Sequence, residues 1–440
     1  MIKTKYVIIG NSAGGIGAAE AIRGIDKSGS LVVISDEPYP AYSRPMIPEY
    51  LAEGCPLEKM LYRPADFYER HNIQTLLGTK VVHLNAEAHT IALAGGEVVT
   101  WEKLLLATGG LPIIPQIEGI TRSGVFTFTT LDDAKAINHY LKSVSQAVVI
   151  GGGLIGVSAT EALVKRGVSV TVVEMKERIL NVILDEETSA LAETALRQAG
   201  VDIITGRTVA KINGGSSTRS VSLDDGRRIP CSLVVVAIGV RPRLELALEA
   251  GLRTNRGIVV SRKLATSHPD IYACGDAAEA YDFIYRQDRL IPIWPSAYIG
   301  GRVAGLNMAG VATEYPGWTA MNSLRYFGLD IVSAGMVTPP DNGYEVMRRQ
   351  NGQTLRKIIL KNGTIVGMVF AGDIEKSGVV FSLMRERINA EGFKEALVAP
   401  DFSLVALPEE IWQPRLAPPY PVVASVLAPA DQPAEVLVGE

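Results

Sequence analysis

Two glycine-rich turns each directly follow an apolar run. The first reads Tyr6-Val-Ile-Ile-Gly10-Asn-Ser12-Ala-Gly14-Gly15, the second Ala147-Val-Val-Ile-Gly151-Gly-Gly153-Leu-Ile-Gly156. Glycines at this spacing allow a tight strand-to-helix turn that presents backbone N–H groups and a helix N-terminus to a pyrophosphate. The second turn is complete at Gly151, Gly153 and Gly156; the first has Ser12 where the middle glycine would sit, a small residue whose hydroxyl can itself donate to phosphate. Each turn is followed, at the end of the next apolar run, by an acid: Asp36 (with Glu37 beside it) and Glu174. A carboxylate there accepts hydrogen bonds from both ribose hydroxyls of an adenosine and repels a 2′-phosphate. Glu174 therefore predicts NADH over NADPH, although Lys176 and Arg178 lie close by. Either turn alone could be a glycine-lined crossing that binds nothing. Two of them, each in strand–turn–helix–strand context, predict two dinucleotides and redox chemistry between them.

Other reactive side chains are sparse. The cysteines are Cys55, Cys231 and Cys274, with no CxxC pair and no metal-ligand spacing, so neither an iron–sulfur cluster nor a structural zinc is expected. The five histidines are scattered, and no metal ligand set is predicted. Asp132 and Asp133 read as a helix cap and first-turn charge rather than a catalytic dyad. A net charge of −4 without long basic runs argues against nucleic acid and anionic membranes as partners. The chain enters an apolar run within a few residues of Met1, and no run approaches the roughly 20 residues of a membrane span, so a cytoplasmic protein is expected.

The elements that position these residues are legible as buried parallel strands at Tyr6–Gly10, Leu31–Ser35, Leu104–Ala107, Val148–Ile150, Val168–Glu174, Leu233–Ile238 and Ile271–Cys274. Helices are expected over 14–23 and 154–166, each stopped by the glycine that follows. The proline-containing crossing Leu111-Pro-Ile-Ile-Pro-Gln-Ile-Glu-Gly119 reads as a domain boundary. From about Thr319, strand-like stretches alternate around turn signals such as Lys361-Asn362-Gly363 and predict a small α+β domain. The proline-rich end is expected to be extended.

Three further segments resemble the FAD-dependent pyridine nucleotide–disulfide oxidoreductase superfamily. Leu104-Leu-Leu-Ala107-Thr108-Gly109 resembles its ATG segment, and Ala237-Ile-Gly239-Val-Arg-Pro242 its second, similar segment. Thr266-Ser-His-Pro-Asp-Ile-Tyr-Ala-Cys-Gly-Asp276 resembles its flavin signature. The resemblance implies an α/β fold of the glutathione-reductase type, with two Rossmann-like domains and a C-terminal α+β interface domain. It divides the chain into an FAD domain split over 1–112 and 246–318, an NAD(H) domain over 113–245, an interface domain over 319–405 and a proline-rich tail over 406–440. The first turn then holds FAD, through Gly10, Ser12, Gly14, Gly15, Asp36, Arg44, Pro45, Val81, Thr108, Gly109 and Asp276. The second holds NAD(H), through Gly151, Gly153, Gly156, Glu174 and Gly239. In the superfamily the aspartate matching Asp276 bonds the ribityl chain, and the position of Val81 holds the adenine through backbone groups. A homodimer, or a complex through the C-terminal domain, would fit.

Much of the superfamily passes electrons from flavin to a cysteine, but here Met46 occupies that place, and a thioether forms no thiolate or disulfide. Cys55, nine residues downstream, could serve as a displaced redox cysteine, but it reads rather as a partly buried thiol at a helix end. The segment Tyr42-Ser-Arg44-Pro45 instead resembles the rubredoxin reductase, ferredoxin reductase and nitrite reductase flavoprotein branches, with Arg44 as a candidate flavin contact. A lysine–glutamate pair that some members place beside flavin N5 is absent, its positions being Glu49 and Ser158. Trp294 either lines the flavin's outer edge or simply packs. Three functions remain: an NADH-dependent reductase of a small carrier such as ferredoxin or rubredoxin, an NADH oxidase using dioxygen, or a flavoprotein subunit of a larger redox complex, with the tail as a docking segment.

Overall fold

A computed structural model describes residues 2–416, with side chains through Gln413. Two five-stranded parallel sheets carry the glycine turns. The first has the spatial order Ile271–Ala273, Lys103–Leu106, Tyr6–Ile9, Leu31–Ser35, Gln74–Leu77. The second has the order Val125–Thr127, Leu233–Val236, Gln146–Ile150, Ser169–Val173, Asp202–Ile204. The strands bearing the turns are central, and every residue of Tyr6–Ile9 and Leu233–Val236 is buried, as continuous apolar runs in a parallel sheet require. One strand of the first sheet, Ile271–Ala273, comes from far downstream, so the chain leaves this unit and returns to it.

The two crossings lie side by side. Gly110–Pro112, on the way out, pairs antiparallel with Val240–Pro242, on the way back. The loop before them is tied across as well: Tyr42 Oη donates to Glu37 Oε2 at 2.6 Å and accepts the Leu131 N–H at 3.1 Å, at the start of the helix Leu131–Tyr140. That helix carries a capping box between Thr130 and Asp133, while Asp132 takes a hydrogen bond from Tyr39 Oη. The N-cap is thus Thr130 rather than an aspartate; Asp132 and Asp133 are the first-turn charges, Asp133 closing the capping box and Asp132 holding the neighbouring loop.

A five-stranded antiparallel sheet closes the chain, in the order Met321–Tyr326, Leu329–Gly335, Thr364–Ala371, Thr354–Lys361, Glu345–Asn351, and the amphipathic helix Ser377–Arg385 buries Val380, Phe381, Leu383 and Met384. A buried ion pair, Lys357 Nζ to Asp185 Oδ2 at 2.6 Å, fastens this sheet to the N-cap of the helix Glu186–Gln198 in the second unit. The extended tail expected from residue 406 is corrected in part. Glu409–Leu416 is a helix, begun after Pro408 by two acids in its first turn and anchored by Ile411 and Trp412 on the core; the remainder, 417–440, lies outside the described residues. Among the described residues no helix is long and apolar enough to cross a membrane.

Candidate active site

The two glycine turns are built alike. Gly10 and Gly151 adopt φ of 120° and 106°, conformations that favour glycine, and a Cβ on either would lie 2.1 or 2.4 Å from the carbonyl oxygen of Ala107 or Ala237. A Cβ on Gly15 or Gly156 would lie 1.9 Å from the carbonyl oxygen of Gly10 or Gly151, so these glycines let each helix start against its own turn. Ser12 and Gly153 are the matching N-caps of the helices Ala13–Ile25 and Leu154–Lys165. Ser12 makes no side-chain capping hydrogen bond, and neither helix has an acid in its first turn. Both N-termini therefore keep their positive ends open to an anion. Gly14 serves packing: a Cβ there would meet Cys274 Sγ at 2.8 Å, and Gly301 of the helix Trp294–Met308 comes against its backbone.

The acids differ more than the sequence suggests. Gly151 N–H donates to Val173 O and Gly10 N–H to Ile34 O, so the register equivalent of Glu174 is Ser35, and Asp36 stands one residue farther on. Glu174 is 8% exposed; its carboxylate accepts the N–H of Gly152 at 2.6 Å and of Lys176 at 2.8 Å. Each carboxylate oxygen retains lone-pair capacity for a ribose hydroxyl. Asp36 is instead salt-bridged to Arg243 Nη1 at 2.6 Å.

Arg44 opens a short 3₁₀ turn, Arg44–Met46, with Pro45 in its first turn. Its guanidinium bonds Glu37 and the Thr129 carbonyl and lies 5.4 Å from the Tyr42 ring centroid. Asp276 sits in the 3₁₀ turn Gly275–Ala277 immediately after the strand Ile271–Ala273. Burial pushes its carboxyl above the ordinary value, and the positive charge of Arg44 pulls the other way. Thr108 and Gly109 end the adjacent strand, half-buried, and are tied to Arg243 through Thr108 Oγ1 to its carbonyl (3.2 Å) and its N–H to the Gly109 carbonyl (3.0 Å). Thr79 N–H bonds Ser35 O, which brings the buried Val81 to the same end of the sheet, at the start of a separate hairpin. Gly239, φ 119°, lies at the end of Leu233–Val236 and accepts the Ile113 N–H at 3.0 Å. These positions thus collect at the carboxyl ends of the two parallel sheets, where open α/β sheets bind ligands.

Burial raises the thiols of Cys231 and Cys274 to about 12. Cys55 is partly exposed just past the helix Ile47–Glu53. Met46 is partly buried and packs against the core. Of the two positions lacking the lysine–glutamate pair, Glu49 is exposed, and Ser158 Oγ lies 3.1 Å from Tyr326 Oη of the C-terminal sheet. Trp294 stands edge-on to Tyr62, with centroids 4.9 Å apart. Sequence reading missed Arg243 and Tyr326, and it named Glu37 and Tyr42 without the bonds they make to Arg44 and Leu131. Arg243 meets Asp36 across 207 positions, and only a hydrophilic residue directly after the second resembling segment hinted at it.

The cradle suits two dinucleotides: paired turns that a Cβ would fill, open helix N-termini and a ribose-level carboxylate. Arrangement and fold together define an oxidoreductase that works with FAD and NAD(P)H. Comparison with known proteins agrees. Residues 4–316 match the pyridine nucleotide-disulphide oxidoreductase family, and residues 321–388 match the rubredoxin NAD+ reductase C-terminal domain. The chain belongs to the pyridine nucleotide-disulphide oxidoreductase family. It is 32% identical over 400 residues to the NADH-dependent phenylglyoxylate dehydrogenase subunit epsilon of Aromatoleum evansii, covering 90% of this chain and 95% of that one. It is 35% identical over 321 residues to an NADH oxidase of Methanocaldococcus jannaschii, covering 71% of each. Among solved structures, the ferredoxin reductase for the CYP199A2 system of Rhodopseudomonas palustris superposes with a TM-score of 0.82 at 25% identity, over 91% of this chain and 98% of that one.

Proposed function

We propose that this chain is an NADH-dependent, FAD-containing reductase that hands electrons to a small iron–sulfur carrier protein of the ferredoxin or rubredoxin type. FAD is assigned to the first turn, with Gly10, Ser12, Gly14, Gly15, Asp36, Arg44, Pro45, Val81, Thr108, Gly109 and Asp276, and NADH to the second, with Gly151, Gly153, Gly156, Glu174 and Gly239. When bound, NADH supplies a hydride and FAD a centre that accepts two electrons and can release them singly. The chain's own residues bind and orient: the glycine turns seat the pyrophosphates, Glu174 holds the ribose diol, and Arg44 and Asp276 set the charge beside the flavin.

Met46 carries this reading. With a thioether at the relay position, the Cys231 and Cys274 thiols raised to about 12 and Cys55 lying past the helix Ile47–Glu53, no thiol stands at the relay position to meet a disulfide or peroxide substrate. The match of residues 321–388 to the rubredoxin NAD+ reductase C-terminal domain supports a carrier as acceptor. A second reading, a flavoprotein subunit of a larger dehydrogenase, is favoured by the near full-length likeness to subunit epsilon of the phenylglyoxylate enzyme. Anaerobic rapid mixing of NADH-reduced protein with ferredoxin, rubredoxin, dioxygen and a disulfide in parallel tests these readings. The proposal expects fast reoxidation by at least one carrier and none by the disulfide. Dioxygen consumption matching NADH turnover without any carrier would overturn it in favour of an oxidase.

A further inference from the structure

The pairing of Asp36 with a residue from the returning crossing has no counterpart at the second turn, where Glu174 is held by backbone N–H groups alone. We propose that Arg243 is a cofactor-anchoring residue that grips the adenosine diphosphate half of FAD together with Asp36. The proposal rests on the assignment of FAD to the first turn.

Three observations carry it. Arg243 is fixed by its backbone rather than only by its side chain: its N–H reaches the Gly109 carbonyl at 3.0 Å and its carbonyl accepts Thr108 Oγ1 at 3.2 Å. The guanidinium therefore stands between the carboxyl ends of the strands Lys103–Leu106 and Leu31–Ser35, which flank the strand leading into the first turn. Next, its donors are mostly unused. Of five N–H groups, one meets Asp36 Oδ2 at 2.6 Å, and Nε is buried without an acceptor. Both partners remain partly exposed, at 29% and 37%, so the pair faces the crevice rather than the core. Finally, the charge fits. The first turn offers a helix N-terminus without acids and a Ser12 hydroxyl that caps nothing, which suits an anion. A rigid guanidinium fork beside it recognises phosphate oxygens in two directions, while Asp36 keeps the fork from turning to solvent. Asp36 then holds the guanidinium with one oxygen and offers the other to the ribose.

One consequence is structural. Gly109 begins the outgoing crossing and Arg243 ends the returning one, so an anion held by Arg243 joins both chains of the joint between the two units.

The test measures FAD dissociation constants of the full-length protein by flavin fluorescence after ultrafiltration, for wild type, Arg243→Leu, Arg243→Lys and Arg241→Leu. Arg241 is the control: it is exposed and pairs with Glu245 at 3.2 Å. Loss of one charge-assisted forked contact is expected to weaken FAD about 10- to 100-fold in Arg243→Leu, less in Arg243→Lys, and less than about twofold in Arg241→Leu. Should the leucine variant not fold, Arg243→Gln is read against the same limits. Affinity in Arg243→Leu or Arg243→Gln within about twofold of wild type would overturn the role of Arg243. Failure of the wild type to retain FAD would overturn the first-turn assignment itself.

Discussion

Replacing Glu174 by glutamine separates two jobs that its carboxylate performs. The first is structural: Gly152 N–H at 2.6 Å and Lys176 N–H at 2.8 Å both end on it, and only 8% of the residue is exposed. A glutamine keeps one carbonyl oxygen for one of these donors and turns an NH₂ toward the other. Leaving one buried backbone donor unsatisfied costs about 1–3 kcal/mol, a loss readable as a lower urea midpoint. The second is recognition. Exchanging a charged acceptor for a neutral one at the ribose diol removes roughly 1.5 kcal/mol or more, which is about tenfold in kcat/KM for NADH. NADPH gains from the loss of repulsion on its 2′-phosphate, so the NADH-to-NADPH ratio falls by more than the NADH rate alone. Steady-state reduction of a dye acceptor with both nucleotides at one ionic strength, alongside urea unfolding, reads both effects. An unchanged nucleotide ratio would mean that Lys176 or Arg178 reads the ribose, and an unchanged midpoint would refute the structural half.

Further outcomes follow from the same geometry. Gly156→Ala puts a Cβ 1.9 Å from the Gly151 carbonyl oxygen, far inside the roughly 3.3 Å of a close C···O contact, so its helix must back away; NADH affinity should collapse while the yellow flavin absorbance is retained, and Gly15→Ala should do the reverse. Native protein at pH 8 should release one fast thiol to a disulfide reagent, that of Cys55, with Cys231 and Cys274 reacting only after unfolding; Cys55→Ser should leave NADH-driven carrier reduction unchanged. Asp185 is buried, yet Lys357 and Thr188 hold its carboxyl below the ordinary 3.8, so its contribution to stability is full above that value and disappears as pH falls through the depressed native one. Asp185→Asn keeps the helix cap but leaves Lys357 unpaired at 13% exposure; it should cost roughly 3–5 kcal/mol at pH 7 and flatten acid unfolding below pH 4, as followed by circular dichroism.

Much of this was legible in the sequence because parallel strands buried on both faces must be continuously apolar, and because a strand-to-helix turn against a neighbouring carbonyl tolerates only glycine. Tyr6–Ile9, Gln146–Ile150 and both turns follow from those two constraints. The helix expected to stop at Gly24 runs on to Ile25, since an exposed glycine with open space around it breaks a helix only weakly. What the sequence hid was register and distant pairing. A one-residue offset separates Asp36 from the true counterpart of Glu174, and no local pattern announces it. The ion pair of Arg243 with Asp36, the Tyr42 bridge to Leu131 and the Ser158–Tyr326 contact each join elements from different units. The helix Glu409–Leu416 was masked by the prolines around it, although Pro408 stands where a proline can precede a first turn.

The central claim is that electrons pass from NADH through one flavin and out, with no thiol between. Anaerobic titration of the FAD-loaded protein with NADH, followed by flavin absorbance, tests it most directly. The account predicts full bleaching at one NADH per flavin, with no long-wavelength thiolate–flavin band at any point. Uptake of a second equivalent before bleaching is complete, or the appearance of such a band, would contradict it.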